Sequence, residues 1–342
     1  MADAIRRLPY RPRAEAVFLV CLHHFVGTDP AYVYSSLEKM FPDRDFMRCW
    51  MDPIMRRSGL SPEQKLKDSM LRPIRPLPPD QKIVCDLGDN QPLDPDCELS
   101  LAIREAGFTL LQLQDCRTYD DYLRMGAADL FITRSLSGVH GVTRLAERLG
   151  RPFLYLPPAC GEAEISAELT ALGEALGSGQ SKERRDSGQR AREALARALS
   201  LIGGTEVTID HFATSRPLSL ARLLLETGFR VTRVYLDVVA PEEKDDFDWL
   251  RDHFPDLILN ATVHPGMRVF HKRENEGHML AIGPKAAWFG GTAHFVNLVE
   301  CGGLWGSAGI EKLAGLMEDA FLHEKDTRKL VPRKGFGCTC VL

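Results

Sequence analysis

Short apolar runs alternate with amphipathic segments from Gln81 onward. The run Lys82 to Leu87 has the length of a buried strand, and Glu98 to Ala106 has apolar positions at helical spacing. The same order continues through Phe108 to Leu113, Tyr119 to Met125, Asp129 to Thr133, Val139 to Leu149 and Pro152 to Leu156. Strands that alternate with helices need crossover connections, which favour a parallel sheet covered on both faces. We therefore predict a doubly wound α/β domain over residues 81–176.

The polar, glycine- and serine-rich segment 177–189 interrupts this pattern and predicts a solvated linker. After it, the alternation resumes with a helix over Arg190 to Leu201 and a strand over Glu206 to Asp210. It continues to a closing helix over Ile310 to Phe321. Residues 190–342 are therefore predicted to form a second domain, and the fold class is α/β with tandem doubly wound, Rossmann-like parallel sheets.

The first 80 residues differ from the rest of the chain. Ala16 to Val20 predicts a strand and Ala31 to Met40 a helix, whereas Arg72 to Asp80 is a proline-rich tether. The segment is too short for a full α/β domain. We expect a truncated N-terminal domain or an arm that contacts a partner.

The net charge, apolar content and cysteines of the chain bear on which classes of protein it can belong to. The net charge of -4 opposes nucleic-acid binding, which normally requires a basic surface. No stretch is apolar enough for a signal peptide or a membrane span, so a cytoplasmic location is expected. In that compartment the nine cysteines are expected to be reduced thiols, metal ligands or core residues.

Polar and glycine-rich loops follow the predicted strands. In an open parallel sheet the ligand lies beyond the carboxyl ends of the strands, so these loops hold the candidate functional residues. The candidates are Asp86, Asp89, Asn90, Arg134, Ser135, Ser137, His140, Cys160, Gly161, His211, Arg216, His264 and Arg268. Because they gather at one edge of each sheet, we predict a ligand crevice there.

Each candidate also has a purely structural interpretation. Ser135 or Ser137 can cap the next helix, Asp86 and Asn90 can close a turn, and a lone histidine in a loop is commonly solvated. Known motifs do not decide between a functional and a structural role for these residues. The sequence has no G-x-x-x-x-G-K-[ST], no G-x-G-x-x-G after a strand, no G-x-S-x-G and no C-x-x-C. Cys338 and Cys340 form a metal or redox tail, or belong to a disordered terminus.

Two segments resemble a known family. The first includes Ile282-Gly283-Pro284, Trp288 to Asn297 and Gly302-Gly303-Leu304-Trp305-Gly306-Ser307-Ala308-Gly309-Ile310. It is similar to the C-terminal domain of nitrogenase component 1-type oxidoreductases, in which a glycine-rich turn precedes a closing helix. Gly302, Gly306 and Gly309 would let the backbone approach a bulky ligand, although tight helix packing also requires glycine.

The second segment is Cys21-Leu22-His23-His24-Phe25-Val26-Gly27-Thr28-Asp29. It resembles a family stretch in which the cysteine ligates an iron–sulfur cluster at the subunit interface. The resemblance implies that Cys21 is such a ligand, and a buried free cysteine at a strand end is the alternative. Residues 81–176 resemble the family's middle domain in the order of their elements.

The sequence lacks several residues that the family uses as metal ligands. Nitrogenase holds its metal cofactor through a cysteine and a histidine, but the matching regions here contain Phe131-Ile132-Thr133 and Trp305. Dinitrogen reduction and an iron–molybdenum cofactor are therefore not expected. The family's upstream cysteines are also missing, and an iron–sulfur cluster needs about four thiolates. The remaining ligands would have to come from a second subunit or a distant residue such as Cys49.

The resemblance implies one subunit of a nitrogenase-like reductase complex, which is an oxidoreductase component. It would pair with itself or a homologous chain, accept low-potential electrons from an ATP-dependent iron–sulfur reductase protein, and bind a ligand near Asn90, Gly302, Gly306 and Gly309. Arg134, Ser135, His264 and His294 would bind or protonate that ligand. The alternative is a non-catalytic scaffold that holds a metallocofactor or a tetrapyrrole-like ligand.

Overall fold

The computed structural model describes residues 1–51, 59–78, 82–178, 184–269 and 278–326. The chain divides into two compact units. Unit 1 comprises Met1–Asn90 and Ile103–Pro157, and unit 2 comprises Gln91–Ala102 and Pro158–Leu342. Within the described residues, no helix is both long and apolar enough to cross a bilayer.

Unit 1 begins with a two-stranded sheet and its helices and continues into a four-stranded sheet with helices. Its elements are α1 (Ala2–Arg6), β1 (Ala14–Val20), α2 (Leu22–Phe25), α3 (Pro30–Met40), β2 (Asp45–Met51), α4 (Pro62–Leu71), β3 (Ile83–Asp86), the end of α5 (Glu98–Glu105), β4 (Thr109–Gln112), α6 (Tyr119–Leu123), β5 (Leu130–Thr133), α7 (Leu136–Leu149) and β6 (Phe153–Tyr155). Four of these strands form a parallel sheet in the order β4-β3-β5-β6.

The pattern of apolar residues explains this sheet and its helix layers. All residues of β3 and β5 are buried, as expected for central parallel strands covered on both faces. In α7, Val142, Leu145 and Ala146 fall on one helical face and are buried in the core. The helix ends where Gly150 adopts the left-handed conformation, with φ of 64°.

Residues 1–78 contribute a second parallel pair to unit 1. β1 and β2 pair in register from Ala14↔Asp45 to Val20↔Met51, and α3 buries Tyr34 and Leu37 against one face of the pair. α4 packs against both β2 and α7. The strand and helix predicted here are confirmed, and β2 and α4 are elements that the sequence pattern did not indicate.

Unit 2 carries the second parallel sheet. Its elements after α5 are α8 (Glu162–Leu176), α9 (Arg184–Ile202), β7 (Glu206–Asp210), α10 (Pro217–Thr227), β8 (Arg230–Tyr235), α11 (Lys244–His253), β9 (Ile258–Asn260), β10 (Met279–Ile282), α12 (Pro284–Gly290), β11 (Phe295–Val296) and α13 (Gly306–Leu322). The strand order is β11-β10-β7-β8-β9, and each neighbouring pair is parallel.

The predicted fold class is confirmed, since both sheets are parallel and alternate with helices. The predicted linker 177–189 overlaps α9, which begins at Arg184 rather than at Arg190. The physical reason is that its charged residues are good helix formers, so a polar composition does not by itself prevent a helix. The predicted domain boundaries at residues 80 and 176 remain predictions. Cys338 and Cys340 lie outside the described residues.

Candidate functional site

The sheet of unit 1 has one topological switch point. β4 lies on one side of β3 and β5 on the other, so the crossovers leave the central strands in opposite directions. Ligands of open α/β sheets bind beyond the carboxyl ends of the strands at such a point. Here the two loops that meet at that point carry Asp86 to Asn90 and Arg134 to Ser137.

A buried charge cluster occupies this switch point. Arg134 is 4% exposed, and its Nε donates a 3.0 Å hydrogen bond to Asp86 Oδ2. Its backbone N–H donates to Asp89 Oδ2 at 2.9 Å. Burial raises the pKa of Asp86 to about 7, while the Arg134 charge acts in the opposite direction. Arg134 is therefore held by carboxylates of its own unit.

The serines beyond Arg134 form a second polar cluster. The Oγ atoms of Ser135 and Ser137 are 2.7 Å apart, and the buried Lys67 Nζ of α4 donates to Ser137 Oγ at 2.6 Å. Glu63 accepts from Ser137 at 2.9 Å and lies 3.0 Å from Lys67 Nζ. The buried Lys67 ammonium is thus shared between the Glu63 carboxylate and the Ser137 hydroxyl. Asn90 is exposed in the loop after β3.

The sheet of unit 2 has its own switch point, between β7 and β10. Asp210 ends β7 and is fully buried there. Its Oδ2 accepts from the backbone N–H of Ala286 at 2.7 Å, and its Oδ1 accepts from those of Phe212 and Ala213. Burial raises the pKa of Asp210 to about 6, whereas these N–H groups lower it. Asp210 therefore joins the loop after β7 to the start of α12.

Three titratable side chains lie at this edge of unit 2. His211 Nδ1 lies 3.2 Å from the Tyr235 carbonyl, and its Nε2 lies 3.6 Å from Asp237 Oδ2. Lys285 Nζ is 3.4 Å from Thr262 Oγ1, which in turn donates to Asp237 at 2.6 Å. This arrangement can bind an anionic group or relay a proton.

Burial determines the protonation of these groups. It lowers the pKa of His211, assisted by the nearby Lys285 charge, and it lowers the pKa of Lys285 itself. For Asp237, burial acts to raise the pKa, but the hydrogen bond from Thr262 and the charge of His211 lower it overall. Sequence reasoning named His211 but missed Asp237 and Lys285. The signal for Asp237 was its position just after the apolar residues that end β8 (Arg230–Tyr235).

The structure places His264 and His294 at opposite ends of the unit 2 sheet. His264 is exposed after the carboxyl end of β9, and its Nδ1 accepts from the Gly266 N–H at 3.1 Å. His294 precedes β11 at the amino edge, where its Nδ1 lies 3.0 Å from the Ala320 carbonyl. The two histidines do not converge on one site. Their role in proton delivery stays a prediction.

The glycine-rich turn before α13 has an unusual backbone. Glu300, Cys301, Gly302 and Gly303 have φ values of 49°, 58°, 56° and 82°, so four successive residues are left-handed. The turn is held by backbone N–H groups of Glu300 and Cys301, which donate to the Phe212 and Ala213 carbonyls. Left-handed residues other than glycine are costly and persist only where their surroundings impose them.

The glycines of this turn are in close contact with protein atoms. A Cβ on Gly306 would lie 2.4 Å from Glu98 Oε2, and one on Gly302 would lie 2.7 Å from Leu298 Cδ1. A Cβ on Gly309 would lie 3.1 Å from the Leu304 backbone. These contacts favour the packing interpretation of the glycines, and ligand binding by them stays a prediction.

A small apolar pocket lies beside the turn. Its volume is ≈ 50 Å³, and its walls include Cys160, Cys301, Trp305, Gly306 and Gly309. The share of one water molecule in the liquid is about 30 Å³, so this space does not admit a bulky cofactor. Burial raises the pKa of Cys160, which favours its neutral thiol.

Cys21 follows the carboxyl end of β1 and is half-buried. Apolar side chains around it are exposed, which is unusual for a monomeric surface. We call them the Cys21 patch, and their exposed fractions are Phe18 56%, Val20 47%, Leu22 62%, Phe25 76% and Val26 74%. Phe18 and Val20 lie on the face of β1 opposite Val17, which faces the α3 core.

An iron–sulfur cluster needs about four thiolate ligands. Among the described residues, no group of three or more His, Cys, Asp or Glu side chains is placed to hold a metal. Cys49 is 1% exposed, and burial raises the pKa of its thiol, which opposes the thiolate that a cluster requires. The described part of this chain therefore does not fit a complete cluster.

The two regions that the resemblance relates to nitrogenase's cofactor ligands are Phe131-Ile132-Thr133 and Trp305, and their side chains are buried. Phe131 and Trp305 are 0% and 1% exposed. Neither offers an atom that ligates a transition metal. The expectation that the chain does not reduce dinitrogen stays a prediction.

Comparisons with known proteins show the fold. A solved structure described as nitrogenase Cp1 at pH 6.5 matches with a TM-score of 0.65 and 16% identity, over 94% of this chain and 78% of that one. A second, nitrogenase Cp1 at pH 5, has a TM-score of 0.58 and 14% identity, over 94% and 72%. No family model and no curated protein matches the sequence. The chain thus has a nitrogenase-like α/β fold.

Proposed function

We propose that this chain is one subunit of a nitrogenase-like reductase complex, which delivers low-potential electrons to a ligand other than dinitrogen. The observation that carries the proposal is the Cys21 patch. Large exposed apolar side chains there lie within five residues of a half-buried thiol at the end of β1. Exposed apolar surface of this kind marks protein–protein contact sites.

The partner that suits the patch is a second copy of this chain or a homologous chain. The nitrogenase-like fold supports this choice, because the family resemblance implies pairing of such subunits. An ATP-dependent iron–sulfur reductase protein would then supply the electrons. Since the described residues of one chain do not provide a full thiolate set, a cluster at Cys21 would take its other ligands from the partner.

A scaffold function is the second candidate, and one observation favours it. The described residues lack a group of three metal donors, and the regions that the resemblance relates to the nitrogenase ligands contain Phe131-Ile132-Thr133 and Trp305. A protein that holds a metallocofactor or tetrapyrrole-like ligand during assembly, without reducing it, needs fewer resident ligands. Such a scaffold would use the same fold and the same Cys21 patch.

Anaerobic purification separates the two functions. For a reductase subunit purified with its partner, we expect iron, sulfide and broad brown absorbance, all lost in Cys21→Ser. Cys116→Ser is the matched control, because Cys116 is another half-buried free thiol of unit 1. Iron that remains in Cys21→Ser would contradict the ligand role, and a colourless wild-type complex would favour the scaffold.

A further inference from the structure

A groove of ≈ 780 Å³ lies in unit 1, where α4 packs against α7. Its volume is typical of sites for small ligands. The two helices approach closely at Gly141, where a Cβ would lie 2.8 Å from the Asp68 Cα. The groove is separate from the sheet-edge clusters and from the Cys21 patch.

Positive charge dominates the groove. Five basic side chains from β2, from α4 and its end, and from α7 line it: Arg48, Lys65, Arg72, Arg144 and Arg148. Two carboxylates, Asp68 and Glu147, line it as well. A third, Glu38, forms ion pairs with Arg48 and Arg72 at 2.9 and 3.6 Å. Five cations against three carboxylates leave an excess of two positive charges.

Arg148 contributes part of this excess. Its Nη1 and Nη2 atoms donate to the Ile74 and Leu71 carbonyls at 2.5 and 2.9 Å. These are neutral acceptors at the end of α4, so they orient the guanidinium without neutralising it. Arg148 is therefore a fixed positive charge in the wall of the groove.

The groove also contains a buried hydroxyl without a hydrogen-bond partner. Ser69 lines it, is 9% exposed, and its Oγ has no partner among the described residues. Buried polar atoms in native proteins almost always have a partner, so an unsatisfied one needs an explanation. A ligand oxygen in the groove would supply the missing partner.

We infer that this groove binds a small polyphosphate, a ligand with two or more linked phosphate groups. The excess of two positive charges favours an anion that carries at least two negative charges. The cations come from three parts of unit 1, so linked phosphates reach more of them than a single phosphate does. Arginine suits this role because its planar fork matches phosphate oxygens.

Calorimetric titration of the full chain with inorganic pyrophosphate tests the inference. We expect pyrophosphate to bind about tenfold more tightly than inorganic phosphate at equal ionic strength. The Lys65→Gln/Arg144→Gln double variant should bind pyrophosphate at least about tenfold more weakly. Both side chains are exposed, so folding should be unaffected.

The matched control is Arg190→Gln/Arg197→Gln in α9. It removes the same charge, and Arg190 resembles Arg144 in exposure, at 53% against 60%, and in having one carboxylate partner. Its pyrophosphate affinity should equal that of the wild type. Equal losses in the two double variants would show a general charge effect and overturn the inference. Failure of the wild type to bind pyrophosphate would also overturn it.

Ser69→Ala provides a test that does not depend on charge. Removal of an unsatisfied buried hydroxyl should leave the ligand-free protein at least as stable, as measured by its Tm. Pyrophosphate affinity should fall by about threefold because one hydrogen bond is lost. Unchanged affinity in Ser69→Ala would place the ligand outside the groove and contradict the inference.

Discussion

Arg134 is a cation with almost no access to solvent, and its loop was predicted to bind a ligand. In the structure its Nε pairs with Asp86 and its backbone N–H with Asp89, and ligand binding by this loop stays a prediction. A buried charge without a partner costs much folding free energy, so Arg134 and Asp86 each depend on the other. The pair stabilises the loops of the switch point, and any ligand there would contact atoms around it.

Replacement of Arg134 by methionine should make stability depend strongly on pH. Burial raises the pKa of Asp86 to about 7, against about 3.9 in an unfolded chain. Between these values the folded state retains a proton that the unfolded state has released, so this group's contribution to stability falls as pH rises. Without Arg134 the pKa rises further, and we expect a loss of about 3–5 kcal/mol at pH 8 and less at pH 5.

Urea unfolding of Arg134→Met and wild type at the two pH values measures this difference. The Asp86→Asn/Arg134→Met double variant is the control, since it removes both charges and should recover much of the loss at pH 8. Equal losses at pH 5 and pH 8 in the single variant would show that the Asp86 charge is not responsible.

At the scale of elements, the glycine-rich turn before α13 has a backbone conformation that residues other than glycine adopt only at a cost in free energy. Four left-handed residues in succession bring the chain from β11 to α13, and Gly303 meets the segment before α5. The Asp94 N–H donates to the Gly303 carbonyl at 3.0 Å. The turn thus connects two separated parts of the sequence within unit 2.

Gly303→Ala should destabilise unit 2 by about 2–4 kcal/mol. Its Cβ would lie 2.0 Å from the Pro92 carbonyl oxygen, at a φ of 82° that is unfavourable for alanine. Gly315→Ala in α13 is the matched control, because nothing lies within 4 Å of its Cβ. It should stabilise the helix by up to about 1 kcal/mol. Thermal or urea unfolding measures both, and similar effects would refute the packing role.

At the scale of the whole molecule, the Cys21 patch predicts assembly. Phe25→Asp should weaken association by about tenfold or more, since burial of a phenylalanine contributes about 1.5–3 kcal/mol. Val238→Asp in unit 2 is the matched control, with 77% exposure against 76% for Phe25. Light scattering on the chain alone and with a homologous chain gives the masses, for comparison with the 38.2 kDa monomer. A wild type that is monomeric in both cases would contradict the prediction.

Most of the fold follows from local sequence patterns. Apolar runs such as Ile83–Asp86 and Leu130–Thr133 are long enough only for strands, and helices end at glycines such as Gly150. Alternation of the two then requires parallel sheets. β2 and α4 were not predicted, although Ser61 and Gln64 form a capping box at the start of α4. β2 packs against α3, and α4 packs against α7.

The site was less predictable. The sequence identified the loops at the carboxyl ends of the strands, because that rule depends on topology alone. It did not indicate that Arg134 would be neutralised by Asp86, or that His294 would lie at the amino edge. It also missed Lys285, Asp237 and the groove between α4 and α7. These depend on which residues distant in sequence become neighbours.

The sequence by itself therefore determined the α/β class, the order of most elements and the edge of each sheet where functional residues gather, since these follow from local periodicity and strand direction. Only the tertiary structure decided which charges are paired, which glycines have neighbouring atoms packed against their Cα, and which surfaces remain exposed to solvent. The reason is that burial and pairing arise from contacts between segments far apart in the chain, and these contacts set the electrostatic and packing free energies.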